Sequence, residues 1–195
     1  DVVIKGDRAY VTWAKLNIAG GGLAVFDVSL PGQPIFLGGC ELEGSGECIY
    51  VSDRYAYVGL LVKQFERSRG RVAIIDLSQP KLLAPVGSYD LRAPVRDIFV
   101  SGQYAYVVTS EVDLEILDVS NPAWPLHVSS FDNQDIYWFG DGYGIWVVTN
   151  YAFLVGGDQF RVLDVSNPFQ PSQVAMLGVG DGRGVYVTGQ YAYVA

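Results

Sequence analysis

The sequence predicts an all-β fold, a β-propeller of four-stranded blades, with four blades complete and the first two strands of a fifth. Three observations carry this. An extended apolar run ending in an Asp-x-Ser-x-Pro turn is written four times, from Leu23 to Pro34, Val72 to Pro85, Leu114 to Pro125 and Phe160 to Pro171. A second text, Tyr-Ala-Tyr-Val or a near variant, stands five times, at 8–11, 55–58, 104–107, 151–154 and 191–194. Its second aromatic recurs after 47, 49, 47 and 40 residues. A period in the forties built only of strands marks a propeller.

The elements follow in order within one propeller segment, with blades at about 1–46, 47–93, 94–140 and 141–180 and a partial blade at 181–195. In the third blade, Ile98-Phe-Val100 is the first strand and Ser101-Gly-Gln103 its turn. Tyr104 to Thr109 alternates as the second strand, Leu114 to Val119 is the third, and His127 to Phe131 is the short fourth. No segment has helical periodicity, and Pro, Gly and β-branched residues recur too often for long helices. Asp27, Asp76, Asp118 and Asp164 open the repeated turns. Their carboxylates, with the serine two positions on, can take backbone N–H groups of the turn. Eight of the nine prolines lie in these turns, Pro94 being the exception. The tyrosines supply buried area, and the alanine between them faces the other side, where blades must approach closely.

Leu114-Glu-Ile-Leu-Asp-Val-Ser-Asn-Pro and Phe160-Arg-Val-Leu-Asp-Val-Ser-Asn-Pro, followed by Tyr-Ala-Tyr-Val strands, resemble the LVIVD repeat. The resemblance covers essentially the whole chain. It implies a β-propeller of the kind found in secreted or cell-surface bacterial and archaeal proteins, mostly of unassigned function, so it speaks to fold and hardly to activity. The second blade departs from it: Pro80 and Pro85 are five apart where the other motifs space their prolines by three. The two ends of the chain carry the same strands and would compete rather than complete one blade. The chain is therefore expected to be a piece of a larger propeller, or to pair its open edges with another chain.

Composition narrows the function classes. The net charge of −8 disfavours nucleic acid as a partner. No apolar run is long enough to span a membrane. Cys40 and Cys48 bracket a polar, flexible loop; the expectation is a disulfide, the alternative two thiols packed as small hydrophobes. Aligning the units places Glu47, Arg96, Tyr143 and Arg183 in one column just before the innermost strands, at the channel mouth. Such a ring could hold a small polar ligand; the plainer reading is a solvated rim with ion pairs of little energetic weight. The next column is Asp1, Cys48, Asp97, Gly144 and Gly184.

The stretch 131–144 repeats least. Asp132, Asp135 and Asp141 are hard oxygen ligands that could take Ca²⁺, though their spacing matches no EF-hand loop. No other cofactor is implied. Tyr137, Trp138 and Phe139 would form a protein or glycan contact if exposed, or an inter-blade plug if buried. The basic stretch 63–71 reads as a solvated hairpin tip or a dock for an acidic partner. No catalytic residue is assigned, because the single histidine, His127, sits on an outer strand with no Ser or metal cluster to serve. The expected function is a non-enzymatic binding or structural module, extracellular or on the cell surface, and a subunit of a larger assembly. Its partners would be other protein chains, copies of itself included. An enzyme or metal-dependent binder using the channel mouth is the alternative.

Overall fold

The computed structural model describes the chain except residues 16–19, 53, 64–66, 112–113 and 133–141. The first sheet is β1 (Val2–Lys5), β2 (Arg8–Ala14), β3 (Gly21–Asp27) and β4 (Ile35–Leu42). The second is β5 (Ser45–Val51), β6 (Tyr55–Val62), β7 (Arg69–Asp76) and β8 (Pro85–Leu91). The third is β9 (Val95–Ser101), β10 (Tyr104–Thr109), β11 (Leu114–Asp118) and β12 (Leu126–Phe131). The fourth is β13 (Gly142–Val148), β14 (Tyr151–Gly156), β15 (Gln159–Asp164) and β16 (Ser172–Gly178). A two-stranded sheet, β17 (Val185–Thr188) and β18 (Tyr191–Val194), ends the chain. In every sheet the strands lie side by side in chain order, and the pairings described are antiparallel. These are four-stranded blades of the propeller type.

Two compact units form, Asp1–Val95 with Pro122–Trp124, and Arg96–Asn121 with Pro125–Ala195. In the first, Tyr10, Leu23 and Val25 of one sheet pack against Val51, Val58 and Ile75 of the next. In the second, Tyr106, Val108 and Ile116 meet Ile145, Leu154 and Leu163. The alternation of Tyr-Ala-Tyr-Val sets this packing: Tyr10 and Tyr106 turn to the following sheet, while Ala56 and Ala152 turn to the preceding one at zero exposure. Because second and third strands are covered on both faces, they read as nearly continuous apolar text. Each fully buried Val, Leu or Ile contributes roughly 1.5–3 kcal/mol.

The repeated turns share one bonding scheme. Asp27, Asp76, Asp118 and Asp164 each accept the N–H of the serine two residues on, at 2.8–2.9 Å. The intervening residue donates its N–H back to the preceding hairpin: Val28 to Asp7, Leu77 to Arg54, Val119 to Gln103 and Val165 to Asn150. In the second blade the two extra residues between the prolines are taken up by a single 3₁₀ turn, Pro80–Leu82, with Leu82 N–H donated to Gln79 O.

The disulfide expected between Cys40 and Cys48 is not formed; both remain thiols outside any bridge. Seven residues separate them in sequence, but they lie at different depths of neighbouring sheets. Cys40 is on β4, the outer strand, whereas Cys48 is on β5, the first strand of the next sheet, which packs on β1, β2 and β3.

Candidate functional site

The column read from the sequence is only partly assembled. Glu47 and Tyr143 each occupy a bulge in a first strand, between Gly46 and Cys48 and between Gly142 and Gly144. A bulge re-aims the extra residue away from the ladder. Within the second unit the Arg183 guanidinium lies 5.7 Å from the centre of the Tyr143 ring, and it meets Asp181 at 3.4 Å in full solvent. Arg96 is half-buried on β9, and Glu47 is exposed in the other unit. What is built here is one cation–π pair, of about 0.5–1 kcal/mol when exposed.

The neighbouring column holds more structure. Asp97 accepts the N–H of Ile98 through Oδ1 and the N–H of Ile145, 48 residues on in the next blade, through Oδ2, both at 2.8 Å. Asp1 makes the same double contact, with Val2 at 2.7 Å and Ile49 at 3.1 Å. One carboxylate thus clips the first strands of two adjacent blades. Burial pushes the Asp97 carboxyl up to about 6, against the pull of its two N–H donors. The sequence hint was an aspartate at the same repeat position in blades one and three. Its role was invisible because the partner N–H groups belong to another repeat.

A second inter-blade device runs along the outer strands. Each fourth strand carries a bulge at the same place, with Leu37, Val86, Val128 or Val174 as the extra residue. Directly after it come Gly38, Gly87, Ser129 and Ala175, paired with Val25, Ile74, Ile116 and Val162. The proline turn of the following blade settles on this spot. A Cβ on Gly38 would overlap the Pro80 carbonyl oxygen, and one on Gly87 the Pro122 carbonyl oxygen. Ser129 instead donates its hydroxyl to Pro168 O at 2.6 Å. The extra residues Leu37 and Val128 pack at the rims of the two cores. In the first unit this joint also leaves an apolar cavity lined by Leu37, Pro80 and Leu82.

At the fourth blade the outer joint is bare. All of β16 is exposed, with Val174, Met176 and Leu177 on its surface. Next to it, β17 stacks on β13 and β14 as β13 stacks on β10. Trp146 joins Phe99 and Tyr186 in a row of ring contacts at 5.1 and 4.6 Å. Among the described residues β18 pairs only with β17. Tyr193 is 57% exposed, whereas Tyr10, Tyr57 and Tyr106 at the same repeat position are 4–5% exposed.

Other sequence-derived sites fare differently. Tyr137, Trp138, Phe139, Asp135 and Asp141 lie outside the described residues, and Asp132 follows the end of β12. Among the described residues no three of His, Cys, Asp and Glu gather as a metal-binding group. The basic stretch 63–71 is not all hairpin tip: Arg69 and Arg71 belong to β7, and Arg71 is bonded by Asp90 at 2.5 Å and Glu43 at 3.0 Å. His127 on β12 contacts Glu115 at 2.9 Å. No helix among the described residues is long and apolar enough to cross a membrane.

Comparison with known proteins agrees with the repeat geometry. The family model described as LVIVD repeat matches residues 1–41, 94–133, 139–176 and 179–195. The longest unmatched stretch, 42–93, takes in the second blade, which carries the longer proline turn. No curated protein matches the chain. In structure, the chain is similar to a functionally unknown protein from Desulfotomaculum acetoxidans DSM 771, with TM-score 0.75 and 15% identity over 100% of this chain. It is also similar to the computationally designed Ika8 protein, with TM-score 0.69 and 7% identity over 99% of this chain. The designed Ika4 protein matches 78% of the chain and 86% of its own length, with TM-score 0.61 and 7% identity. The chain spans 62% of the D. acetoxidans structure's length and 66% of Ika8's.

Proposed function

We propose that this chain, which belongs to the LVIVD-repeat family, is a non-enzymatic binding and structural module that works outside the cell or on its surface. The observation that carries this is that the repeated residues serve joints between blades: Asp97 accepts the N–H groups of Ile98 and Ile145, and Ser129 donates its hydroxyl to Pro168 O. The resemblance to secreted and cell-surface repeats and the net charge of −8 support the location. At the mouth the described contact is a guanidinium on a tyrosine ring, which suits the holding of a partner group.

Size-exclusion chromatography with light scattering tests the reading. The protein is expected to self-associate, or to capture a partner chain, in a concentration-dependent way. A strictly monomeric protein that captures no chain from its native extract would sink it. Surface labelling of intact cells with a membrane-impermeant reagent tests the location, and exclusive labelling after lysis would remove that part.

A further inference from the structure

Two departures from the repeat meet at one cavity in the first unit. One is the residue opposite the turn aspartate. In three of the four complete blades it is a tyrosine: Tyr55 opposite Asp76, Tyr104 opposite Asp118 and Tyr151 opposite Asp164. In the first blade it is Arg8, opposite Asp27. The other departure is the proline turn of the second blade, where Lys81 and Leu82 lie in the longer stretch between Pro80 and Pro85. The three shorter turns, Pro31-Gly-Gln-Pro34, Pro122-Ala-Trp-Pro125 and Pro168-Phe-Gln-Pro171, carry no charge between their prolines. The Pro80 carbonyl still rests on Gly38, as the Pro122 carbonyl rests on Gly87, and Leu83 is buried in the core. The 3₁₀ turn is held between these two anchors, so the joint is kept and the added residues face outward.

Between this turn and β4 lies the cavity, of about 430 Å³, lined by Arg8, Leu37, Gln79, Pro80, Lys81 and Leu82. Small-molecule sites occupy about 300–1,000 Å³. The wall is mainly apolar, and Leu82 within it is 75% exposed. Arg8 and Lys81, both exposed, bring two positive charges to it in a protein of net charge −8. Asp27, across from Arg8, spends a carboxylate oxygen on the N–H of Ser29 in its own turn. We propose that this cavity at the joint of the first two blades binds a small amphipathic anion, a molecule with an apolar body and a carboxylate at one end. The body lies against Leu37, Pro80 and Leu82, and covering Leu82 supplies the driving force. The carboxylate is met by Arg8, whose planar fork matches its two oxygens, and by the Lys81 ammonium. The proposal goes beyond the module reading above, does not depend on it and makes no use of the channel mouth.

The test titrates the 195-residue protein with octanoate and follows its backbone amides by NMR. Saturable shifts are expected at Gly38 and from Lys81 to Leu83, with a dissociation constant on the order of 1 mM. Octylammonium, with the same chain and the opposite charge, should bind at least about tenfold more weakly. Added salt should weaken octanoate, because the two cations are exposed. Arg8→Gln with Lys81→Gln should weaken octanoate about fivefold, and so should Leu82→Asn, about fivefold through the lost apolar wall. These three side chains are exposed, so the variants keep the fold, which their amide spectra away from the cavity check directly. The inference is overturned by an absence of saturable shifts, by equal binding of octanoate and octylammonium, by shifts centred away from the cavity, or by variants that bind octanoate as the wild type does.

Discussion

Tyr106 and Tyr193 hold the same place in the same repeated text, yet one is 4% and the other 57% exposed. Around Tyr106 the next blade brings Ile145, Ala152 and Leu154 into contact, and the outer strand of its own blade is capped through Ser129 and Pro168. Among the described residues Tyr193 has no such cover, and β16, the outer strand of the preceding blade, is exposed throughout. The repeat text specifies which side chain faces the following blade. Whether that face is buried depends on the neighbour, so the same text gives a buried side chain in blade three and an exposed one on β18.

The comparison breaks most simply at these tyrosines. Tyr106→Ala should destabilise the protein by about 3–5 kcal/mol in urea titration, whereas Tyr193→Ala should change it by less than ~0.5 kcal/mol. Equal costs would mean that the open face is packed in solution.

The Asp97 clip gives the next effect, and its sign is set by burial. The carboxyl stands at about 6 in the fold and near 3.9 when unfolded. The native protein therefore binds the proton more tightly, and stability rises as pH falls from above 6 to below 4, by up to about 3 kcal/mol. The turn aspartates act oppositely. The serine hydroxyl and then the serine N–H hold Asp118 and Asp164 below the usual carboxylate range, so their contribution is lost only as pH falls below about 4. Urea midpoints at pH 4.5 and 7 should differ in the wild type and converge in Asp97→Asn; an unchanged difference would move the titration to another group.

Smaller effects sharpen the outer joints. Gly87→Ala places a methyl against the Pro122 carbonyl and should cost about 2 kcal/mol. Ala175→Ser, on the bare strand, should leave the free protein's stability within ~0.5 kcal/mol. The smallest readout concerns the thiols. Protein kept from reductant should give two titratable thiols on unfolding. In the native state Cys40 should react slowly, because burial raises its thiol above the usual value, and buried Cys48 slower still. An intact mass lower by two hydrogens would restore the bridge.

Much of this fold was legible in the chain because propeller strands carry local signals. Tyr104–Thr109 has its strand limits in the sequence pattern, and Asp118, Ser120 and Pro122 announce a turn by their own chemistry. The cysteines show where local reading fails. A short polar spacer suggested closure, but the chain crosses from an outer strand to a first strand in that interval, and sequence distance says nothing of that jump. Asp97 was equally silent, since a lone aspartate before an apolar run also describes a solvated rim. Ala175 carries no polar signal at all; its place became visible only by register with Gly38, Gly87 and Ser129.

By itself, the sequence determined the strands, their order, the turns and the facing of Tyr and Ala, all properties that a residue expresses through its own backbone and nearest neighbours. The tertiary structure alone decided which carboxylate joins two blades, which turn rests on which strand, and that the thiols stay apart. The joints depend on contacts between residues 35 to 48 positions apart, where identical text meets different surroundings.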